Sequence, residues 1–207
     1  GSRPHTARFV IPGPATFDLP LTLSFPAQGS LLLQSEGSAQ GPVAEVLNNI
    51  ILRLLAASRP GKASFNIIDP VGLGQNFGGL MHLSDYEDSL INHRIWTQRE
   101  QIEERLGILS GHIEKVIQMY LRNEFESITE YNNQAGVVAE KYHFLVIADF
   151  PANFSESAVK RLESIVSSGP RCGVFTLMHT DLRAPQPDGF TSNDTGPNRV
   201  ALRYVNK

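Results

Sequence analysis

The chain has 207 residues and a formal net charge of −3, with 18 basic and 21 acidic residues spread along it without blocks. This balance argues against a broad basic surface, so we expect no strong DNA-binding patch. The longest apolar runs fall well short of the roughly 20 residues that cross a bilayer, and no signal peptide opens the chain, so we expect no membrane contact. The single cysteine, Cys172, excludes an internal disulfide and fits a cytoplasmic protein.

The first 29 residues are predicted to form strands at the edge of the fold. Arg8–Ile11 and Leu19–Phe25 are short runs of strand-forming residues between prolines and glycines, which is typical of an edge hairpin. We therefore divide the chain into an N-terminal edge, 1–29, and one main domain, 30–207. Gly1 and Ser2 are typical of a cloning remnant, so we expect the chain to be a piece of a longer protein.

The stretch from Leu31 to Leu55 is predicted to be a buried strand, a loop of small residues and an amphipathic helix. This is the outline of a phosphate-binding unit, whose loop follows G-x-x-x-x-G-K-[ST] because backbone N–H groups wrap the phosphates and the lysine neutralises their charge. When Gly37 starts the pattern, Val43 stands at the lysine position and Ala44 at the magnesium-binding hydroxyl position. Shifting the register so that Gly41 is the second glycine also supplies no lysine. The outline of the unit is present, but its charged groups are missing.

Strands and helices alternate through the rest of the chain. The glycine-rich passage 72–79 has no helix directly after it and is interpreted as a connecting loop. Thr97 and Ser155 are each expected to cap a helix. The predicted strands are Ala63–Ile68, His93–Thr97, Tyr142–Asp149, Cys172–Met178 and Val200–Tyr204, and the predicted helices are Gln98–Asn123, Phe125–Tyr131 and Glu156–Ser167.

Strands that are apolar on both faces and alternate with helices predict an α/β fold. We expect a mostly parallel central sheet with helices on both faces and an N-terminal β edge. Ligands of such sheets bind beyond the carboxyl ends of the strands. The loop Gln34–Gly41, Asp69, Asp149 and His179–Asp181 all follow or end predicted strands, so we expect them along one edge.

Taken together, these segments resemble the FtsK/SpoIIIE branch of the P-loop motor ATPases, the additional-strand group that includes DNA translocases and multi-domain secretion ATPases. The similarity runs from about Ser30 to Arg183, and its most specific parts are FNIIDP (Phe65–Pro70) and SITEYN (Ser127–Asn132). The resemblance implies a P-loop NTPase or RecA-like fold. Members of the family bind ATP and magnesium between ring-arranged subunits and use hydrolysis to pull a polymer.

The resemblance also implies a vestigial nucleotide site, made of Gly37, Ser38, Gln40, Gly41, Asp149 and Asp181. Asp149 matches the acid that helps to hold magnesium, and Asp181 replaces a glutamine-like sensor. Phe150 stands where the family has the glutamate that polarises water. Phosphoryl transfer is catalysed by positioning and charge stabilisation, and three principal positions, Val43, Ala44 and Phe150, are apolar. We therefore expect no catalytic residue and no cofactor; ATP with magnesium is the cofactor that the family would bring.

These observations favour a catalytically degenerate ATPase domain with a structural or regulatory role in a larger motor-like protein. Its expected partners are other domains or subunits of that ATPase. Two alternatives remain open: an active ATP-dependent DNA or protein translocase domain that borrows groups from a neighbouring subunit, and a small-molecule or peptide-binding α/β domain whose pocket is lined by Val43 and Phe150.

No metal-binding pattern stands out in the sequence. The six histidines include no pair at i, i+4 on a predicted helix, and none has a cysteine partner. Cys172 lies in an apolar run and is expected to be a small buried side chain. We therefore expect no metal site.

Overall fold

A computed structural model of the chain describes residues 22–37, 40–87, 90–92, 94–187 and 199–204. Its centre is one sheet in the order β2-β3-β4-β1-β5, in which every neighbouring pair is parallel. The strands are β1 (Ser30–Ser35), β2 (Ala63–Ile68), β3 (Tyr142–Phe150), β4 (Val174–Asp181) and β5 (Arg199–Tyr204). The predicted parallel sheet is confirmed.

In the part of the chain that the structure describes, four α-helices cover both faces of the sheet. They are α1 (Gln40–Ala57), α2 (Arg99–Lys115), α3 (Ile128–Ala135) and α4 (Glu156–Ser168). One apolar cluster joins α1 to β1, β2, β3 and β4, and a second joins α2 and α4 to the opposite face. Helices on both faces are thus confirmed. Among the described residues, no helix is long and apolar enough to cross a membrane.

The apolar runs of the strands follow from this two-sided cover. Every residue of β2 is buried, because its odd positions, such as Phe65, face α1 while Ile68 faces α2 and α4. The amphipathic helix predicted before Leu55 is α1, and its apolar face is confirmed in part. Val43, Leu47 and Ile51 lie in the core, whereas Val46 is exposed.

The described end of the predicted N-terminal edge is not a strand. Residues 22–25 of the predicted strand Leu19–Phe25 have no strand pairing, and the rest of it, together with Arg8–Ile11, lies outside the described residues. The ring of Phe25 instead contacts the rings of Tyr142, Phe144 and Phe175 at 5.1–5.8 Å between centroids. Aromatic packing against the sheet therefore replaces strand pairing at this end.

Two helices begin at residues other than those predicted. The cap of α2 is Gln98, without a side-chain hydrogen bond, and not Thr97; this helix continues into a π-helical turn at Val116–Leu121. The helix predicted at Phe125–Tyr131 is α3, which begins after Ser127. Ser127 accepts a hydrogen bond from Glu130 N and caps the helix, and the Glu130 carboxylate accepts one from Glu126 N, the residue before the cap. The predicted Ser155 cap of α4 is confirmed.

Two further segments differ from their predictions. Passage 72–79 is not only a connecting loop, because a 3₁₀ helix begins at Gln75 and runs to Asp85. Of the strand predicted at His93–Thr97, Trp96 makes a single bridge to Ile68, and His93 lies outside the described residues.

The strand predicted at Cys172–Met178 begins at Val174. Gly173, with φ of 77°, ends a 3₁₀ turn there, and a Cβ on it would come within 2.8 Å of Ile128. Cys172 is buried as expected, and burial raises the pKa of its thiol to about 11.

Two histidine rings contact each other between α2 and β3, with their planes tilted by 56°. The centroids of His112 and His143 are 4.3 Å apart. Burial is the main cause that lowers the pKa of both rings. The pKa of His143 falls to about 3 from an ordinary 6.5. The His112 ring, Arg105 and Lys141 also lower the pKa of His143, while Glu140 raises it. Both rings are therefore neutral in the folded protein at neutral pH.

The neutral pair predicts loss of stability in acid. Between pH 6.5 and about 3, unfolded His143 binds a proton that the folded residue does not, so stability falls as the pH falls through this range. One such group contributes a slope of up to about 1.4 kcal/mol per pH unit. We expect urea unfolding of H143Q to show a flatter pH dependence than the wild type. H82Q is the control, since His82 is exposed; equal slopes in H143Q and wild type would contradict the prediction.

Candidate site at the carboxyl edge of the sheet

The carboxyl ends of the parallel strands bring the predicted site residues to one edge. Ser35 pairs in register with Asp181, the last residue of β4, and Asp149 lies one residue before the end of β3. Gly37 follows β1 with φ of 104°. Gly41 lies exposed in the first turn of α1, which begins at Gln40. Ser38 lies outside the described residues.

The connection between β1 and α1 is shorter than a phosphate loop. It spans only residues 36–39, because α1 begins at Gln40. In the loop pattern the lysine comes six residues after the first glycine, which is position 43 here. That position therefore already lies in the first turn of α1 and not in the loop. Val43, at that lysine position, is 5% exposed and packs in the core beneath α1. A side chain at this position points towards the sheet, away from the edge where a phosphate would lie.

A bulge in β3 turns Asp149 towards β4. Ile147 pairs with Met178 and Phe150 with Thr180, so three steps along β3 match two along β4. Asp149 is at the bulge, with φ of 55°. In a regular strand, residues three positions apart such as Ile147 and Phe150 would face opposite sides of the sheet, yet both lie in the core cluster under α2 and α4.

Two buried side-chain contacts, one of them a hydrogen bond, link three strands at this edge. Ser35 Oγ is 2.9 Å from His179 Nε2, and His179 Nδ1 is 3.2 Å from Asp149 Oδ1. Ser35 is fully buried, His179 is 2% exposed and Asp149 9%. The order serine, histidine, aspartate is that of a hydrolytic triad, but a nucleophile must be reachable by substrate, and Ser35 is not. These side-chain contacts therefore join β1, β4 and β3.

The carboxylate of Asp181, at the end of β4, is held by Arg183. Its carboxylate accepts hydrogen bonds from Arg183 N at 3.0 Å, Arg183 Nε at 3.3 Å and Arg183 Nη2 at 3.0 Å. These bonds, first of all those from the Arg183 side chain, lower the pKa of Asp181 to about 2. In the loop itself, Glu36 pairs with Arg203 of β5.

Asp69, predicted at the same edge, organises a turn instead. Its buried carboxylate accepts hydrogen bonds from Gly72 N at 3.0 Å, Gly74 N at 3.1 Å, Asn76 N at 3.3 Å and Asn76 Nδ2 at 3.0 Å. A Cβ on Gly72 would lie 2.6 Å from both carboxylate oxygens, so only glycine fits there. The acids at the edge are thus all engaged within the chain.

The apolar pocket considered from the sequence does not lie at this edge. Val43 and Phe150 are both buried, and the Phe150 ring packs on Phe154 at 5.1 Å between centroids. A cavity of about 570 Å³ lies elsewhere, between the flank of α1 at Ile50 and Leu54 and the segment that contains Leu23. Within the described ranges, no three His, Cys, Asp or Glu side chains gather as metal ligands would.

Several contacts at this edge were not predicted from the sequence. Ser35, Glu36 and His179 were expected at the edge, but their partners were not predicted, and neither Arg183 nor Arg203 was expected to take part. One signal was available for His179: a histidine inside an apolar strand needs a partner on the neighbouring strands, because buried polar groups are hydrogen-bonded. The arginine pairs are exposed and had no such signal.

Solved structures of ATPases share this fold. The cytoplasmic domain of EssC matches with a TM-score of 0.63 and 13% identity over 86% of this chain and 33% of that one. The conjugation coupling protein TcpA of pCW3, determined with ATPgS, matches at 0.62 and 16% over 87% and 50%. The cytoplasmic domain of the type VII secretion ATPase EccC from Thermomonospora curvata matches at 0.58 and 13% over 80% and 17%.

These likenesses establish the fold. The resemblance to the FtsK/SpoIIIE branch is confirmed at that level, and the chain spans a third to a half of the first matched structures. No protein-family profile matches the chain. No curated protein matches it either.

Proposed function

We propose that this chain is a catalytically degenerate FtsK/SpoIIIE-like ATPase domain, residues 30–207, with a structural or regulatory role in a larger motor-like protein of the cytoplasm. In this proposal Gly37, Ser38, Gln40, Gly41, Asp149 and Asp181 are the remains of a nucleotide site that binds no cofactor. Its partners are other domains or subunits of the same ATPase, in keeping with the multi-domain proteins that share the fold.

Val43 is the observation that carries this proposal. A phosphate loop needs a cation at this position, and here the position is apolar and turned into the core. Restoring activity would require a different start of α1 as well as a lysine.

The engaged acids support the same proposal. Magnesium in a nucleotide site is held by oxygen ligands, often a carboxylate at a strand end. Here the candidate carboxylates are already bound by the chain itself: Asp149 by His179 and Asp181 by Arg183. Phe150, where a glutamate would polarise water, is buried in the core. A triphosphate with magnesium would have to break these contacts before it could bind.

ATP is therefore expected not to stabilise the protein. A ligand at 100 times its dissociation constant adds about 2.7 kcal/mol to the free energy of unfolding. We expect no shift of the melting temperature at millimolar ATP with magnesium. We also expect phosphate release to be equal for the wild type and D149N, a variant that keeps a hydrogen-bonding group beside His179. Hydrolysis that disappears in D149N would instead support an active domain completed by a neighbouring subunit.

A further inference from the structure

Two guanidinium groups lie over a tryptophan ring beside β2, the last strand on one side of the described sheet. The Cζ atoms of Arg94 and Arg105 are 4.3 Å and 5.3 Å from the centroid of the Trp96 ring. The backbone of Trp96 is fixed on β2, because its N–H donates to Ile67 O and its carbonyl accepts from Asp69 N. Both cations therefore contact an aromatic surface of fixed position, an arrangement that favours guanidinium groups.

Asn66 holds the Arg105 side chain from β2. Its Oδ1 accepts a hydrogen bond from Arg105 Nε at 2.5 Å, and Asn66 itself is fully buried. The donors of a guanidinium lie in a rigid plane, so this bond and the Trp96 ring together orient the group. Arg105 is only partly buried, and its Nη1 and Nη2 groups donate to no acceptor in the part of the chain that the structure describes. These two donors are thus fixed in direction and free to bind.

The cluster of Asn66, Arg94, Trp96 and Arg105 lacks acceptors. Asn66 Nδ2 and Trp96 Nε1 are buried without a hydrogen-bond partner. Across the described residues, neither arginine forms an ion pair with a carboxylate. Burial lowers the pKa of Arg105, and Glu104, its neighbour on α2, raises it. An arginine keeps its proton in proteins, so a partly desolvated charge remains without a partner, and an oxyanion is the group that would supply one.

The balance of charge favours a carboxylate over a phosphate. The two arginines carry two positive charges, and the acid that acts on Arg105, Glu104, carries one negative charge. One carboxylate would balance the remainder, whereas a phosphate group, with about −1.5 to −2 charges, would exceed it. A carboxylate also matches the planar pair of guanidinium donors with its two oxygens.

We propose that Arg94, Trp96 and Arg105 form a docking site for an acidic side chain of a protein partner, whose carboxylate binds the Nη1 and Nη2 groups of Arg105. Asn66 is a positioning residue, because it holds Nε and leaves the other donors free. Arg94 is exposed and adds a second positive charge. The site lies on β2, separated from β1 by β3 and β4, so it shares no residue with the vestigial nucleotide site and does not depend on the proposed function.

The test uses a hexaglutamate peptide as the probe and the fluorescence of Trp96 as the readout, since Trp96 is the only tryptophan of the chain. At low ionic strength, we expect a saturable change with the wild type. R105A should bind at least about tenfold more weakly, because hydrogen bonds to charged groups are lost. R105K should be weakened nearly as much, since a lysine keeps the charge but not the paired planar donors. R94A should be weakened less than R105A.

Two further variants separate positioning and net charge from direct binding. N66L should weaken the binding of hexaglutamate although both arginines remain, and its melting temperature shows whether it is folded. R171A is the control for net charge, because Arg171 is exposed on the turn before β4, and it should bind like the wild type.

Four outcomes would overturn the inference. The first is no saturable change of wild-type fluorescence at millimolar hexaglutamate. The second is R105K binding as tightly as the wild type, and the third is R171A losing as much affinity as R105A. The fourth is inorganic phosphate binding as tightly as hexaglutamate at equal ionic strength, which would make this a phosphate site. None of these outcomes bears on ATP binding, so they can be told from a failure of the proposed function.

Discussion

Replacing His179 with alanine is expected to lower the free energy of unfolding by about 3–5 kcal/mol, because it removes a buried ring and leaves the polar groups of Ser35 and Asp149 without their partner. His179 is 2% exposed and is the link between Ser35 on β1 and Asp149 on β3. Without the ring, the Asp149 carboxylate stays 9% exposed with its partner gone, and a cavity remains between the strands. Urea unfolding of H179A against wild type measures the loss.

Two comparisons separate this effect from general damage. R183A removes the cation of an exposed pair and should cost about 0–1 kcal/mol. In a D149A background, H179A should cost less than it does alone, by about 0.5–3 kcal/mol of interaction energy. Additive losses in this cycle would show that the contact between His179 and Asp149 does not stabilise the edge.

Replacing Asp69 with alanine is expected to cost about 2–4 kcal/mol, since a buried donor left without a partner costs roughly 1–3 kcal/mol and such losses are not additive. The carboxylate is the acceptor for three backbone N–H groups and one side-chain amide in the turn after β2. D69N keeps one acceptor oxygen and should fall between wild type and D69A. D85A, at an exposed site of the neighbouring 3₁₀ helix, should stay within about 0.5 kcal/mol of wild type.

A local readout accompanies the change in stability. Amide hydrogen exchange at Gly72, Gly74 and Asn76 should accelerate in D69A, because their N–H groups lose their acceptor. Exchange in β1 under native conditions should change less. Unchanged protection of these three backbone amides would contradict the prediction, because it would mean that another group accepts their hydrogen bonds in place of the carboxylate.

The sheet was predictable from the sequence because its strands are apolar on both faces. Ala63–Ile68 was predicted at its observed bounds, and the strands at Tyr142 and Val200 within one residue. A continuous apolar run of five to eight residues between turn signals is typical of a buried strand, because it is too short for a buried helix. The neighbours of each strand were not predictable in this way, since pairing in a parallel sheet joins segments far apart in the sequence.

The errors occurred where a single hydrogen bond or ring contact decides the local structure. Phe25 packs on the sheet and does not extend a strand, and Ser127 with Glu130 sets the start of α3. Neither contact changes the hydrophobic period of the sequence. The motif S-I-T-E at Ser127 was a visible capping signal, whereas the contacts of Phe25 exist only in the folded chain.

The candidate site was predicted in position more fully than in its contacts. Gly37, Asp149 and Asp181 do meet at one edge, because parallel strands place their carboxyl ends together. What each of them contacts depends on features that no spacing reveals: the bulge that turns Asp149 to His179, and the short connection that brings Gly37 close to Arg183. The degenerate character of the site stays a prediction until nucleotide binding is measured.

The strand order has a consequence for synthesis on the ribosome. β1 emerges first, yet its two neighbours in the sheet, β4 and β5, are the last strands to be made. His179, which holds Ser35, follows it by 144 residues. A nascent chain therefore exposes the apolar β1 and the inner side of α1 until β4 and β5 have been made, and this exposed surface favours aggregation during that interval.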